Sequence, residues 1–538
     1  MILDWQPGKE KYILRVPREN GELVQGLVKH EGWDFFRGSP THEAILHTEE
    51  PFAAVTYFQH GTPQARDQLD TIRLGIEASR ATESGAHIRV PDGRELWPFQ
   101  KANVEYALQR PHSLVGDQPG LGKTCVAIAV ANELRAKRVL VICPAAIRLQ
   151  WAQKIREWST MPWPYIVHVI LHGKRGVHPN AQWTVCSYDL ASTPEIGAGL
   201  ASYSYDLLVL DEAHYCKTTD AKRTRAVFGG GENRTFEALA SRAERVVALT
   251  GTPLPNRPRE AYTLARYLCW DAIDWLSEEQ FKFRFNPSVK RTTAKGKVWI
   301  DERSGRHAEL QNRLRYYFMC RHEKRAVMPQ LKLPAYDFVY LEETGPIKAA
   351  LKAEKLLDID PENLAGADMA IMGQISVVRR MMGLAMAPLV ADYADMLMDG
   401  GEEKLVIFGW HTEVLNIWQQ RFAKYGVVRI DGTTSATARA SRIKEFLTNP
   451  EIRIIIGNIL SLGTGTDGLQ TVCNHVILGE IDWTPGNNQQ AVDRLDRGGQ
   501  RNQVQCDIAV VKGSFAERIM ATALRKIKVI DKTLDARP

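Results

Sequence analysis

The chain has 538 residues, 44% of them apolar and 25% charged, the balance of a soluble globular protein too long for one core. Three or four domains are expected from that length. Sixty-nine Lys and Arg against 63 Asp and Glu leave a net charge of +6, a mild pointer to a polyanionic partner, and the composition excludes a disordered or low-complexity chain.

Residues 1–90 open on alternating KYILRV, a strand pattern, and continue through short mixed segments. They are expected to form a small N-terminal accessory module of α+β type, followed by the polar, turn-rich stretch ATESGAHIRVPDGRE at 81–95. From 91 to 265 strand and helix patterns alternate: SLVGD, RVLVICP, WTVCSY, YDLLVLDE and RVVALTGT are short apolar runs, each ending in a polar or glycine turn. Strands that apolar are usually buried on both faces of a parallel sheet. Residues 266–400 read as mostly helical insertions around the basic loop SVKRTTAKGK. A second alternating series, KLVIFGW, VVRIDG, IRIIIGN and HVILGEIDW, occupies 401–515, and a helical tail is expected over 516–538. The fold class is therefore α/β, two parallel-sheet lobes with helical insertions and the N-terminal module.

Three compositional features carry expectations. Between Lys282 and Arg325 thirteen Lys or Arg meet four Asp or Glu, interleaved with Phe283, Phe285, Trp299, Tyr316, Tyr317 and Phe318, the pattern of a nucleic-acid contact. Seven of the twelve methionines lie from Met369 to Met398 and read as adaptable core filling. The eight cysteines form no CxxC pair and are expected as buried free thiols of a reducing compartment. The start MILDWQPGKEK lacks an apolar signal core and no run approaches membrane-spanning length, so a soluble chain with no membrane partner is expected.

The chemistry is concentrated in three places. GDQPGLGKT, 116–124, falls between a strand and a helix; Gly120 and Gly122 free backbone N–H groups to converge on a phosphate, Lys123 would pair with β- and γ-phosphates, and Thr124 would hold Mg²⁺. A strict phosphate loop of this kind has glycine where this chain has Asp117. Asp211 and Glu212 follow LLVL at the carboxyl end of an expected strand, where open α/β sheets place ligands. Asp211 suits the Mg²⁺ shell and Glu212 the orientation of an attacking water. In QAVDRLDRGGQ, 490–500, Arg494 and Arg497 stand three apart on an expected helix that Gly498 ends, so both would share one face and reach a γ-phosphate.

The ordered set resembles the Swi/Snf-type branch of superfamily-two helicases, in particular the annealing-helicase group and its small bacterial or phage relatives, over about residues 95–515. LWPFQ ends in Gln100, which the resemblance makes the adenine reader; Asp117, Leu121, Cys125 and Gln500 join the nucleotide-binding set. CPAAIRLQW with Trp151 and VCSYDL with Ser187 are similar to the first two DNA-contact motifs. DEAHYCK with Lys217 is similar to the branch's form of the acidic box, and LTGTPLPNRPRE with Thr250 and Thr252 resembles the coupling motif. MCRHEKRAV resembles a basic signature through Arg321 and Lys324, with His322 where a second arginine is usual, and RIDGTTSATAR carries Asp431 and Thr433. The resemblance implies RecA-like lobes and a cytoplasmic ATP- and Mg²⁺-dependent motor on duplex or branched DNA, in replication, recombination or repair. A strand-separating helicase, or the motor subunit of a nuclease or restriction assembly, stays open beside it.

Overall fold

The computed structural model describes residues 1–520 apart from 37–38, 41, 163, 174–175, 231–235, 252, 254–257, 288, 294–295, 301–304, 358–368, 464–465 and 483–484. Thr252 and most of the expected tail, 516–538, fall outside it. Two compact units emerge: residues 1–118 with 122–323, and residues 324–520 with the three loop residues 119–121.

The first unit is built on a seven-stranded sheet in the order Met319–Cys320, His112–Val115, Ala243–Leu249, Tyr205–Asp211, Val139–Cys143, Trp183–Ser187, Val167–Val169. Every pairing is parallel. Val139–Cys143 and Trp183–Ser187 are buried at every position, as expected of a sheet covered by helices on both faces. The five expected strands are all present. The first and last members of the order, Met319–Cys320 and Val167–Val169, carry no sequence signal because they are two and three residues long.

The second unit holds a six-stranded parallel sheet in the order Ala335–Tyr340, Gln505–Val510, His475–Leu478, Leu405–Gly409, Ile454–Asn458, Val427–Ile430. Segment 266–400 is thus less purely helical than its composition implied: it gives an edge strand to each sheet and adds the hairpin Val289–Thr293 with Gly296–Ile300. Helix Met369–Asp399 is long and apolar enough, from Gly373, to cross a membrane by length and composition, contrary to expectation. Half of that apolar window is buried, and Met382, Met386, Val390, Ala394 and Met398 pack with Leu405 and Ile407 of the sheet and Trp418 of helix Thr412–Arg421. Met381 and Met396 are exposed, so the methionine run serves the core on one face only.

The N-terminal module is a four-stranded antiparallel sheet, Ile2–Gln6, Lys11–Pro17, Glu43–Thr48, Asp34–Phe35, covered by helix Pro63–Ala78. It is fastened to helix His307–Tyr317 of the first unit. Glu309, fully buried, receives Arg284, Arg306 and Arg313; Glu50 of the module receives Arg284 at 2.6 Å and Arg313 at 2.7 Å; Asp274 takes Arg313 at 2.6 Å. Three arginines against three carboxylates balance the charge, and removing one partner would strand the others out of water. Asn312 adds bonds to the Phe52 carbonyl and the Thr56 hydroxyl.

In the second unit His475 is clasped between Glu402 at 3.0 Å and Asp507 at 2.7 Å, and the Tyr393 hydroxyl also donates to Asp507. Burial alone would lower the imidazole pKa, but the bonds to Asp507 and Glu402 outweigh it and hold the pKa at about 9. A raised folded-state pKa stabilises fully below the unfolded value of about 6.5 and the gain is lost as pH rises through the folded one. Stability of the second unit, followed by thermal melts from pH 6 to 10, is expected to fall across pH 6.5–9. His475→Gln is expected to flatten that dependence; an unchanged slope contradicts the assignment.

Candidate active site

The loop 116–122 leaves the strand His112–Val115 and turns into helix Lys123–Leu134, with Gly120 at φ +88° and Gly122 at φ +75°. Both values lie where only glycine is at ease. A Cβ on Gly122 would come within 2.4 Å of Gln100 Nε2, so the glutamine expected to read adenine rests directly against the loop. Gln100 is pinned there by helix Pro98–Leu108, where its Oε1 accepts from the Trp97 N–H at 3.0 Å. The Lys123 ammonium folds back over the loop and donates to the carbonyls of Asp117 at 2.7 Å and Gln118 at 3.2 Å. Burial pushes its pKa down, and Glu212, Asp117 and Asp211 push it back up. Leu121 is buried, Thr124 stands in the first helical turn, and the Cys125 N–H bonds the Gly122 carbonyl at 2.9 Å.

Asp211 ends the strand Tyr205–Asp211 and Glu212 follows at φ +53°, a strained conformation for a side-chain-bearing residue. Burial first, and the Glu212 charge second, hold the Asp211 carboxyl above its usual range, while the Trp151 indole and Lys123 oppose them. The Trp151 N–H donates to Asp211 Oδ2 at 2.7 Å, and the Tyr188 hydroxyl donates to the Asp211 carbonyl at 2.9 Å. His214 contacts Glu212 Oε2 at 3.2 Å and the Thr250 hydroxyl at 2.9 Å, joining the acidic box to the TGTP segment. Lys217 pairs with Glu260 at 3.3 Å.

Several expectations change here. Trp151 and Ser187, expected at DNA, are each 2% exposed; Trp151 orients Asp211, and Ser187 caps helix Tyr188–Ala191. Thr250 is fully buried against His214. Arg321, also expected at DNA, is 4% exposed and donates to the carbonyls of Gly116 at 2.6 Å and Gly251 at 3.3 Å. Asp117 sends its side chain inward, where it accepts from Asn103 at 2.6 Å and from His322. Its contribution to the loop is therefore structural. Asn103 had no motif to announce it. It lies three residues after Gln100, on the same helical face.

The second unit holds the remaining motif residues. Helix Pro485–Val492 ends earlier than the spacing implied, and Arg494 and Arg497 lie on the turns that follow. The cause is visible: Asp493 and Asp496 are drawn to Lys324, 2.8 Å from each, and Arg325 takes Asp496 at 2.7 Å. Lys324 also holds the Asp496 carbonyl, withdrawing it from any helical bond. Lys324 is 2% exposed, so it braces this turn rather than reaching for DNA. The two arginines nevertheless converge, both donating to the Thr466 carbonyl at 3.4 and 3.3 Å, with Arg497 also on Asp467 at 2.9 Å. Gln500 is committed to the carbonyls of Cys473 and Leu495, a local lock rather than a nucleotide contact. Asp431 accepts from Thr433 and Arg429 beside an open cleft of about 710 Å³ lined by Thr433, Thr434, Arg429 and Arg442. Thr433 is exposed there.

The basic segment is also reassigned. Its eight described cations all have partners inside the protein: Lys282 on Glu278, Arg284, Arg306 and Arg313 on Glu309, Arg315 on the Arg321 carbonyl, and Arg321, Lys324 and Arg325 as above. The side chains of Lys290, Arg291, Lys295, Lys297 and Arg303 lie outside the described part.

Comparison with known proteins agrees with this order of parts. The SNF2-related domain matches residues 99–342 and the helicase conserved C-terminal domain matches 390–499. The chain belongs to the Swi/Snf-type branch of superfamily-two helicases. Mouse "DNA annealing helicase and endonuclease ZRANB3" is 27% identical over 453 residues, 82% of this chain and 41% of that protein. The Xenopus tropicalis "SWI/SNF-related matrix-associated actin-dependent regulator of chromatin subfamily A-like protein 1" is 29% identical over 448 residues, 81% of this chain and 45% of that one. The chain thus spans less than half the length of these relatives. Among solved structures, "Sulfolobus solfataricus SWI2/SNF2 ATPase core in complex with dsDNA" aligns over 81% of this chain and 92% of that one at 19% identity, with a TM-score of 0.37.

Gly122→Ala is expected to displace Gln100 and to cost about 1–2 kcal/mol from the left-handed backbone alone. Chemical denaturation of the first unit reads the stability loss, and competition between adenine and guanine nucleotides reads the position of Gln100. Unchanged stability and selectivity would contradict the close packing of loop and glutamine.

Proposed function

We propose that this protein is a DNA-stimulated ATPase that uses ATP and Mg²⁺ to move along duplex or branched DNA and remodel it, in replication, recombination or repair. One observation carries the reading: a desolvated lysine ammonium shares its surroundings with Asp211 and Glu212 at the carboxyl edge of a parallel sheet, beside two left-handed glycines. That grouping fits a nucleotide triphosphate and a divalent cation. Backbone N–H groups of the loop and Lys123 would cradle phosphates, Gln100 would meet the base, and Thr124 and Asp211 would hold the cation. The cation would neutralise charge on the phosphates. Glu212 would orient the attacking water, and Arg494 and Arg497 would supply charge that binding alone does not need. Lys217, Thr252, Asp431 and Thr433 remain the candidates for coupling or DNA contact. Residues 1–90 act as an accessory module seated on the first lobe, with 91–265 and 401–515 as the lobes themselves. DNA would be followed through its phosphates, so affinity would fall with salt and vary little with sequence.

ATP turnover measured with no effector and with single-stranded, duplex and forked DNA and with RNA tests the reading. Duplex or forked DNA is expected to stimulate most, Lys123→Ala to fall to background, and Glu212→Gln to bind ATP without turning it over. Turnover that survives Lys123→Ala contradicts the phosphate-loop assignment. Displacement of a strand from a fork without triplex displacement from an intact duplex would favour strand separation over duplex translocation.

A further inference from the structure

Two residues that depart from their motifs meet in space. Asp117 stands in the phosphate loop where a strict motif has glycine, and His322 stands where the basic signature has a second arginine. The His322 backbone N–H donates to Asp117 Oδ1 at 2.8 Å and its ring Nδ1 lies 3.0 Å from the same oxygen. The far ring nitrogen, Nε2, lies 3.1 Å from the Ala81 carbonyl in the stretch after the N-terminal module. His322 is 5% exposed and Asp117 fully buried. A carboxylate and a carbonyl only accept hydrogen bonds, so the ring faces two acceptors in a position where the basic signature would place a guanidinium with several donors.

The surroundings make this grip consequential. The chain from Cys320 to His322 runs beside the loop, with Gly116 N–H on the Cys320 carbonyl at 2.8 Å and Gln118 N–H on the His322 carbonyl at 3.2 Å. The Asp117 carboxylate meets the ring, the Lys123 ammonium sits on the Asp117 carbonyl and the Arg321 guanidinium on the Gly116 carbonyl; Phe99 closes one side at 5.7 Å. Asn103 holds the second Asp117 oxygen. A loop whose N–H groups must converge on phosphate is useful only in one shape, and apparent affinity falls with the fraction of time spent in others.

We propose that His322 is a positioning residue for the nucleotide loop: its backbone N–H and ring hold Asp117 and tie the loop to residue 81. The inference rests on the reading of the loop as an ATP site. Loss of the clamp loosens the loop before nucleotide arrives, so it acts on binding more than on the chemical step.

The test uses the full chain. His322→Gln keeps a donor but cannot bridge Asp117 and the Ala81 carbonyl, and is expected to raise KM for ATP by about tenfold while kcat changes by less than about threefold, the scale of one hydrogen bond to a charged group. His322→Arg, which can donate to both, is expected to restore KM. Normal KM in a folded His322→Gln protein overturns the proposal, as does a folded His322→Arg protein whose KM stays raised. Histidine ¹⁵N NMR gives a readout independent of turnover and of any variant's folding: the parent is expected to show a His322 ring N–H protected from exchange with solvent, and a freely exchanging ring overturns the proposal. If the parent and Lys123→Ala hydrolyse ATP equally, the ATP reading fails on its own, while the NMR result still decides the clamp.

Discussion

A lysine ammonium held largely out of water, at the mouth of a parallel sheet, is the constraint around which the first lobe is organised. Taking such a charge from water is costly unless partners surround it. Here they come from two directions: the carbonyls of Asp117 and Gln118 from its own loop, and the Asp211 and Glu212 carboxylates at the end of strand Tyr205–Asp211. Burial first, and the Glu212 charge second, make Asp211 hard to ionise, and the indole N–H aimed at it works against both. Phosphates and a divalent cation would replace these internal partners with stronger ones. The loop is therefore built around a charge that is only provisionally satisfied.

Much of this was legible in the chain. The five strands of the first lobe were visible because buried parallel strands are continuously apolar, and the order of GDQPGLGKT, DEAH, TGTP and QAVDRLDRGGQ announced the nucleotide chemistry. What the sequence hid was the use of polar residues inside the protein. Trp151, Arg321 and Lys324 sit in motifs associated with DNA, yet each is buried and spends its hydrogen bonds on Asp211, on loop carbonyls or on Asp493 and Asp496. Pattern reading cannot separate an arginine that meets a phosphate from one that meets a carbonyl, because both need the same donor. Short edge strands such as Met319–Cys320 escaped for another reason: two residues have no periodicity.

The positive segment from Lys282 to Arg325 illustrates the same point through charge. Its local excess looked like a surface for a polyanion, but the described cations are consumed in holding the molecule together. Glu50 reaches from the N-terminal module into the arginines around Glu309, so the module and helix His307–Tyr317 share one ionic cluster. That helix leads directly to Met319–Cys320 and the residues that grip the nucleotide loop. Composition registers the charge and cannot register its destination.

The proposed function asks Arg494 and Arg497 to stabilise transition-state charge that phosphate binding alone does not need. The most direct measurement is DNA-stimulated ATP turnover of Arg497→Ala, with ATP binding measured alongside. Arginines acting on a transferred phosphoryl group are worth on the order of 10³–10⁵ in rate, so turnover is expected to collapse while binding persists, with Arg497→Lys a poor substitute. Normal DNA-stimulated turnover in Arg497→Ala would show the arginine to be structural and would contradict the account.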